Sequence, residues 1–351
     1  MYELVKFSEC DLDDVFFDSL KKDYIEFGQW FKKKSEQGAK AYVSKDNGRI
    51  QAFVYIKEEN EEVGELPAQH RMKIGTLKIC SEFGRQRLGE GGIGIALWEW
   101  QHSDCDQIYL TIFPQHNDLI DLITKFGFVQ KTHKGDELVY VKDKNELVFE
   151  KSGPAGYKGF PYVNPDFKRG VCIPIYAEYH DRMFQKSKLR NTVQNCFPSP
   201  VYNGITKVYI STPKSNVTYR PGDLAFIYRI AETDKKHKSA ITSYCTISSI
   251  KWVKKNKNVC KDITMDIFKD IAGNKTVYTE EELEKAFSED NVCVITLVYN
   301  GFFGEGNNVN YDWLQTNGLF RSHPYNIEYS IDEVKTIMKK GGVDERFVAF
   351  D

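Results

Sequence analysis

One segment has the residue types and the spacing to hold a diphosphate. Leu77-Lys78-Ile79-Cys80 reads as the end of a strand. Ser81-Glu82-Phe83-Gly84-Arg85-Gln86-Arg87-Leu88-Gly89-Glu90 reads as a glycine-containing basic turn, and Gly91 to His102 as the helix that it opens. Glycines let the backbone approach a pyrophosphate, and a helix N-terminus aims N–H groups and a partial positive charge at it. Arg85 and Arg87 add full charges suited to phosphate oxygens. A dinucleotide loop of the Rossmann kind would be followed by a strand ending in an acid; here Tyr109–Phe113 runs into Pro114.

The elements that must position this turn alternate between strand and helix. Phe16, Leu20, Tyr24, Phe27 and Phe31 recur at helical spacing, predicting one helix over 16–34. Residues 39–45 and 49–57 read as a hairpin about Asp46-Asn47-Gly48. Strands follow at 72–80, 107–113 and 137–142, with a helix over 116–126 ended by Gly127. The Gly/Pro-rich stretch 146–165 reads as a linker between domains at 1–145 and 166–351. Beyond it come short β runs at 171–176, 206–211, 224–230, 239–253 and 292–298. Helices are expected near 279–288, where Thr279 and Glu282 form a capping box, and near 331–340.

The chain has 351 residues, enough for two domains of ordinary size. Its eight cysteines include no Cys-x-x-Cys pair and lie mostly in apolar runs, which suits reduced core thiols and gives no reason to expect a metal. No apolar run is long enough to cross a bilayer, and the opening residues lack the order of a secretory signal, so a cytoplasmic location without membrane contact is expected. The net charge of −2 conceals an uneven distribution. Residues 1–150 sum to −7 and residues 151–351 to +5, with +14 concentrated in 151–261. Such a basic block, interleaved with aromatics, suits RNA or DNA; it also suits a solvated surface without a partner.

Gln86-Arg87-Leu88-Gly89-Glu90-Gly91 resembles the Gln/Arg-x-x-Gly-x-Gly/Ala motif of the GNAT N-acetyltransferases, and Leu122-Ile123-Thr124-Lys125-Phe126-Gly127-Phe128 is similar to that family's Leu-Tyr-x-Lys-x-Gly-Phe ending. The resemblance covers about residues 1–142. It implies an α+β fold with a mixed, mostly antiparallel sheet flanked by helices. It also implies acetyl-CoA as co-substrate, with Gly84, Arg85, Gln86, Arg87, Leu88, Gly89, Glu90 and Gly91 around the diphosphate. Leu77, Ile79 and Cys80 would lie along the pantetheine arm, and Asn117, beside the His116 that stands where the family often has Asn, would also bind the coenzyme.

Transfer of an acetyl group would then be direct, by positioning and with no covalent enzyme intermediate. Ile123 stands where the family places a proton-donating Tyr. Tyr109 is a substitute donor or a core aromatic; His116 acts on the substrate or caps a helix. Glu58, Glu59 and Glu82 are candidates for the general base, and each also has the character of a solvated acid. Cys80 has no His with Asn or Asp at an identifiable spacing, so it is not read as a nucleophile.

In the second half, Pro221-Gly222-Asp223-Leu224-Ala225-Phe226-Ile227-Tyr228-Arg229 is similar to part of the PUA-like superfamily, which includes the ASCH and EVE domains. The resemblance implies a small β-barrel with helices that binds RNA or DNA, with a modified base in its pocket. Arg229, Lys236, Lys238 and Lys254 would meet phosphates and Trp252 would stack on a base; Lys235, Lys251, Lys255 and Lys257 are further phosphate candidates and Trp313 a further stacking one. Three readings follow: an N-acetyltransferase directed to a nucleic acid or an acceptor bound to one, a non-catalytic reader of nucleic acid with a degenerate first domain, and an N-acetyltransferase with an unrelated accessory domain.

Overall fold

The computed structural model describes residues 2–80, 86–184, 186–187, 189–190, 200–214, 217–260 and 262–348. The chain divides into two compact units, Met1–Leu147 and Val148–Asp351. Among the described residues no helix is long and apolar enough to cross a membrane.

The first unit contains β1 (Tyr2–Lys6), α1 (Asp18–Asp23), α2 (Phe27–Glu36), β2 (Lys40–Asp46), β3 (Arg49–Glu59), β4 (Arg71–Ile79), α3 (Leu88–His102), β5 (Gln107–Ile112), α4 (Asn117–Lys125), β6 (Val129–Lys134) and β7 (Glu137–Asp143). Its strands form one sheet in the order β1-β2-β3-β4-β5-β7-β6. The β2–β3 hairpin turns at Asn47 and Gly48, both at positive φ, as the Asn-Gly pair predicts for a two-residue turn. The helix expected over 16–34 is instead two. On one straight helix, Phe17 and Phe27 would stand about 15 Å apart along the axis. Their ring centroids are 5.9 Å apart, because the chain folds back at Tyr24–Glu26 and delivers both rings to the core around Phe7 and Phe53.

β4 and β5 are parallel neighbours. Pairing covers only Arg71↔Gln107, Met72↔Ile108 and Lys73↔Tyr109. Beyond it, β4 continues for residues 74–79 and β5 for residues 110–112 without meeting each other. A bulge lies next to this fork: Tyr55 pairs with Thr76 and Ile56 with Ile74, so Gly75 is the extra residue. A Cβ at Gly75 would stand 3.0 Å from the ring of Tyr55. The bulge sharpens the local twist of β4 and turns it away from β5.

The second unit contains β8 (Gly170–Tyr176), α5 (Ala177–Met183), α6 (Pro200–Asn203), β9 (Thr206–Ser211), β10 (Leu224–Ile230), α7 (Lys235–Lys238), β11 (Ala240–Lys255), β12 (Asn258–Val259), α8 (Met265–Ala272), α9 (Glu280–Ser288), β13 (Val292–Phe302), β14 (Val309–Asn310), α10 (Tyr311–Thr316), β15 (Glu328–Tyr329) and α11 (Ile331–Lys340). The capping box expected at Thr279 and Glu282 is present at the start of α9. The main path of the sheet is β15-β8-β10-β11-β13-β9, with β12 and β14 pairing β11. The expected small barrel does not close: β15 and β9 are its two edges, and among the described residues they do not pair. The strand signals were sound, but closure depends on the stagger and tilt of all the strands together.

The stretch 146–165 is not a free linker. From Val148 onward it belongs to the second unit: Glu150 accepts from the amides of Gly156 and Lys158, Phe160 is buried, and Asn300 donates to the carbonyls of Pro161 and Tyr162. Glycine and proline here shape a packed turn.

Candidate functional site

The open end of the β4–β5 fork gathers most of the expected coenzyme residues. Both strands point their C-terminal ends there, so α3 starts just beyond β4 and α4 just beyond β5. Leu77, Ile79 and Cys80 lie at the end of β4, half-buried, in the part that β5 does not cover. Arg87 stands in the left-handed region, and α3 begins after it with no side-chain cap. Gly89 lies in the first turn of α3, between α4 and β4: a Cβ there would be 3.3 Å from Leu122 Cδ2 and 3.9 Å from Ile79 Cγ1. Gln86, Leu88, Glu90 and Gly91 fall at the same helix start; Glu82, Gly84 and Arg85 lie outside the described residues.

Arg87 has a different role from the one expected. Its guanidinium is buried and donates to Glu90 Oε2 at 3.1 Å from Nε and 2.6 Å from Nη2. It neutralises the Glu90 carboxylate in the first turn of α3. Gly92 sets the depth of that helix: a Cβ would come within 2.9 Å of both Leu77 and Val54 and 3.0 Å of the Tyr2 hydroxyl, and that hydroxyl donates to the Leu88 carbonyl at 2.7 Å.

Tyr109 occupies the last paired position before the fork. It is almost fully buried, and its hydroxyl donates to Glu59 Oε1. Lys57 also pairs with Glu59, Lys73 Nζ lies 3.9 Å from the same carboxylate, and Lys73 stands over the Tyr109 ring. Burial pushes the Glu59 carboxyl up, but hydrogen bonds from Lys57 and Tyr109 and the charge of Lys73 outweigh it, holding the carboxyl below its ordinary value. Burial first, and then the Glu59 hydrogen bond, push the Tyr109 phenol well above its own. Burial pulls the Lys73 ammonium down, against the charge of Glu59. Near neutral pH the pair is therefore a carboxylate accepting from an intact phenol.

Of the acid and base candidates, Glu59 joins this cluster and Glu58 does not. Adjacent residues of a strand face opposite sides of the sheet. Glu58 pairs in register with Met72 and Glu59 with Arg71, both at the closed end of the fork, where Glu58 bonds to His70. Seven residues of β4, about 23 Å, separate Met72 from Ile79 and Arg71 lies one residue farther, so the two glutamates differ in the sheet face they occupy and not in distance from the open end. Both glutamates lie at the end of β3, and only Glu59 meets Tyr109. His116 and Asn117 are exposed at the start of α4, at the open end. Ile123 is fully buried and packs the core.

In the second unit the expected nucleic-acid residues separate. Arg229 is a correction: it is buried, and its Nε and Nη2 each donate to Asp181 at 2.8 Å in a bidentate pair. Asp181 also accepts from His180 Nδ1 at 2.8 Å, and His180 Nε2 bonds Thr242 Oγ1 at 2.8 Å. Burial would raise the Asp181 carboxyl, but the Arg229 and His180 hydrogen bonds hold it at about 2. Burial lowers the His180 imidazole, against the pull of Asp181. Lys236 and Lys238 are exposed on α7, just before β11, and Lys236 pairs with Asp312 at 3.1 Å. Trp252 and Lys254 are half-buried near the other end of that strand, and Lys254 donates to the Phe287 carbonyl. Twelve residues of β-strand separate Ala240 from Trp252, about 40 Å, so the structure forms no single patch from the two groups. Trp313 packs partly against the core and under Lys340.

The turn at Pro221-Gly222-Asp223 is a structural clamp: Asp223 accepts from Arg169 Nη2 at 3.0 Å and from the Arg220 amide at 2.8 Å, with Gly222 at φ +89°. The seven described cysteines are free, five of them buried; Cys196 lies outside the described residues.

Solved structures similar to this chain include PH1933 from Pyrococcus horikoshii, at 18% identity and a TM-score of 0.32, covering 41% of this chain and 98% of that one. The PaiA N-acetyltransferase from Thermoplasma acidophilum, solved with coenzyme A, is similar at 12% identity and a TM-score of 0.28, covering 37% of this chain and 80% of that one. A mutant ZmASCH protein from Zymomonas mobilis is similar at 10% identity and a TM-score of 0.32, covering 49% of this chain and 96% of that one. The chain matches no protein-family model and no curated protein.

Proposed function

We propose that the first unit binds acetyl-CoA in the fork between β4 and β5 and transfers its acetyl group directly to an amine. The observation that carries this reading is the early end of β4–β5 pairing, with the start of α3 lying beyond the gap. A strand edge that its neighbour does not cover offers backbone N–H and C=O groups to an extended amide-bearing arm. The first turn of α3 offers N–H donors to a diphosphate, and Gly89 packs that turn closely against Leu122 and Ile79. These features fit the coenzyme, which when bound would supply an activated thioester. Glu59 and Tyr109 supply the proton traffic: a proton can be taken at the carboxylate and given from the phenol.

Calorimetry with acetyl-CoA, followed by a screen for acetylated RNA, protein and amine products, tests the proposal. One-site binding together with a product is expected; absence of binding removes it. Tyr109→Phe is expected to lower turnover by roughly 100-fold while coenzyme affinity stays within a few-fold, the range for loss of one acid–base group. Single-turnover kinetics beside calorimetry separates the two effects.

A second reading is favoured by one observation: the Tyr109 hydroxyl is buried and committed to Glu59. On this reading the first unit binds acetyl-CoA without turning it over, and Tyr109→Phe changes stability alone.

For the second unit we infer binding of RNA or DNA at the far end of β11. The supporting features are exposed Lys251, Lys255 and Lys257, with half-buried Trp252 under Lys255. Affinity for a single-stranded RNA, read by fluorescence anisotropy, is expected to fall steeply between 50 and 200 mM salt, roughly tenfold or more if three phosphates are neutralised. A Lys251→Glu/Lys255→Glu variant should lose most of that affinity and much of the salt slope. Unchanged binding would place the contact elsewhere.

A further inference from the structure

Three segments far apart in sequence bring unlike donor atoms to one point at the closed end of the fork. Glu58 is the penultimate residue of β3, His70 immediately precedes β4, and Cys105 lies between α3 and β5. Glu58 Oε2 is 3.0 Å from His70 Nε2, and that same nitrogen is 3.6 Å from Cys105 Sγ. All three donor atoms lie within 4.8 Å of one another. One imidazole nitrogen carries at most one proton, so it cannot donate fully to both the carboxylate and the sulfur.

We propose that Glu58, His70 and Cys105 form a binding site for a borderline-soft divalent cation, best matched by Zn²⁺, which clamps the segment between β3 and β4. Four-coordinate Zn²⁺, with bonds of about 2.0–2.3 Å, holds its ligand atoms roughly 3.3–3.7 Å apart, close to the separations found here without an ion. Thiolate and imidazole ligands select against Mg²⁺ and Ca²⁺, which take oxygen. The sulfur is fully buried, while Glu58 and His70 are half exposed, so the fourth position faces solvent and takes water.

The clamp would act on the neighbouring cluster. Residues 60–69 connect Glu58 to His70. Within them Val63 packs on Tyr109 with Val139 and Val141, Leu66 joins that cluster, and the carbonyls of Glu61 and Pro67 accept from buried Arg71. Holding both ends of this segment would fix the cover over Tyr109 and Glu59. The inference does not depend on coenzyme binding, and its test reads none.

The test adds Co²⁺, then Zn²⁺, to the reduced full-length chain. One equivalent of Co²⁺ is expected to give a thiolate-to-metal charge-transfer band, to be displaced by Zn²⁺ and to be absent in Cys105→Ser. His70→Ala, a change at an exposed side chain that leaves the fold intact, should weaken binding more than tenfold. Cys80→Ser should keep the band. Limited proteolysis should show residues 60–69 cut more slowly with Zn²⁺ than without. A folded chain with no band, or a band that survives in Cys105→Ser, overturns the site; unchanged affinity in His70→Ala removes the imidazole from it, and binding with no protection of 60–69 overturns the clamp.

Discussion

Gly89→Glu is expected to abolish acetyl-CoA binding while the first unit keeps its fold. The new Cβ would stand 3.3 Å from Leu122 Cδ2, a methyl at the end of a flexible side chain that can yield by a few tenths of an ångström. Replacing glycine inside a helix also favours helix formation by about 0.5–1 kcal/mol. The remainder of the side chain, lying between α4 and the end of β4, would carry a carboxylate into the fork. One acid at this helix start, Glu90, is already neutralised by Arg87; the substitution adds a second where the proposed diphosphate would lie. A loss of roughly 100-fold or more, about 2.7 kcal/mol, is expected in calorimetry. Gly89→Ala should bind within a few-fold of the parent, since it adds the contact with Leu122 and no charge. Should the glutamate variant bind like the parent, the diphosphate does not sit at α3.

Asp181→Ala is expected to destabilise the second unit by about 3–5 kcal/mol, because it strands a buried guanidinium. Arg229 and Asp181 side chains are 8% and 14% exposed, too little for water to replace the lost bidentate partner. Chemical denaturation of the full chain should show one transition moved to lower denaturant. The same network sets an acid response. The His180 imidazole is lowered in the fold, so the unfolded chain takes up its proton first, and stability declines as pH drops below about 6.5. Asp181 is held at about 2, so its contribution is complete above about 4 and is lost as pH falls from there through 2; that step is worth about 2 kcal/mol. Asp181→Ala should remove the lower step. If the lower step persists in the variant, another carboxylate is responsible for it.

Local signals were legible where a few neighbouring residues decide the conformation. Asn47-Gly48 set a two-residue turn because both positions adopt positive φ. Thr279 and Glu282 capped a helix because the partners lie within one turn of each other. The strand ending at Ile79 and the helix ending at His102 were readable for the same reason. The break at Tyr24–Glu26 was not: helical spacing persists through it, and only the shared core of Phe7, Phe17 and Phe53 shows why the chain must turn back. The Glu58, His70 and Cys105 cluster has no close-pair signature in the sequence: Glu58 and His70 flank one connection, 12 residues apart, and Cys105 comes from another, 35 residues beyond His70.

Arg229 shows the boundary most plainly. Its place in a basic stretch suggested a phosphate contact, yet its partner is an aspartate 48 residues earlier. Sequence by itself determined the alternation of strands and helices, the glycines that free the start of α3 and the surplus of positive charge in 151–261, since these follow from short-range sterics and from composition. Tertiary structure alone decided that β4 and β5 part after three pairs, that Glu59 rather than Glu58 meets Tyr109, and that the second sheet stays open. Those outcomes depend on how strands twist and which distant side chains they bring within a few ångströms, and no local pattern encodes that.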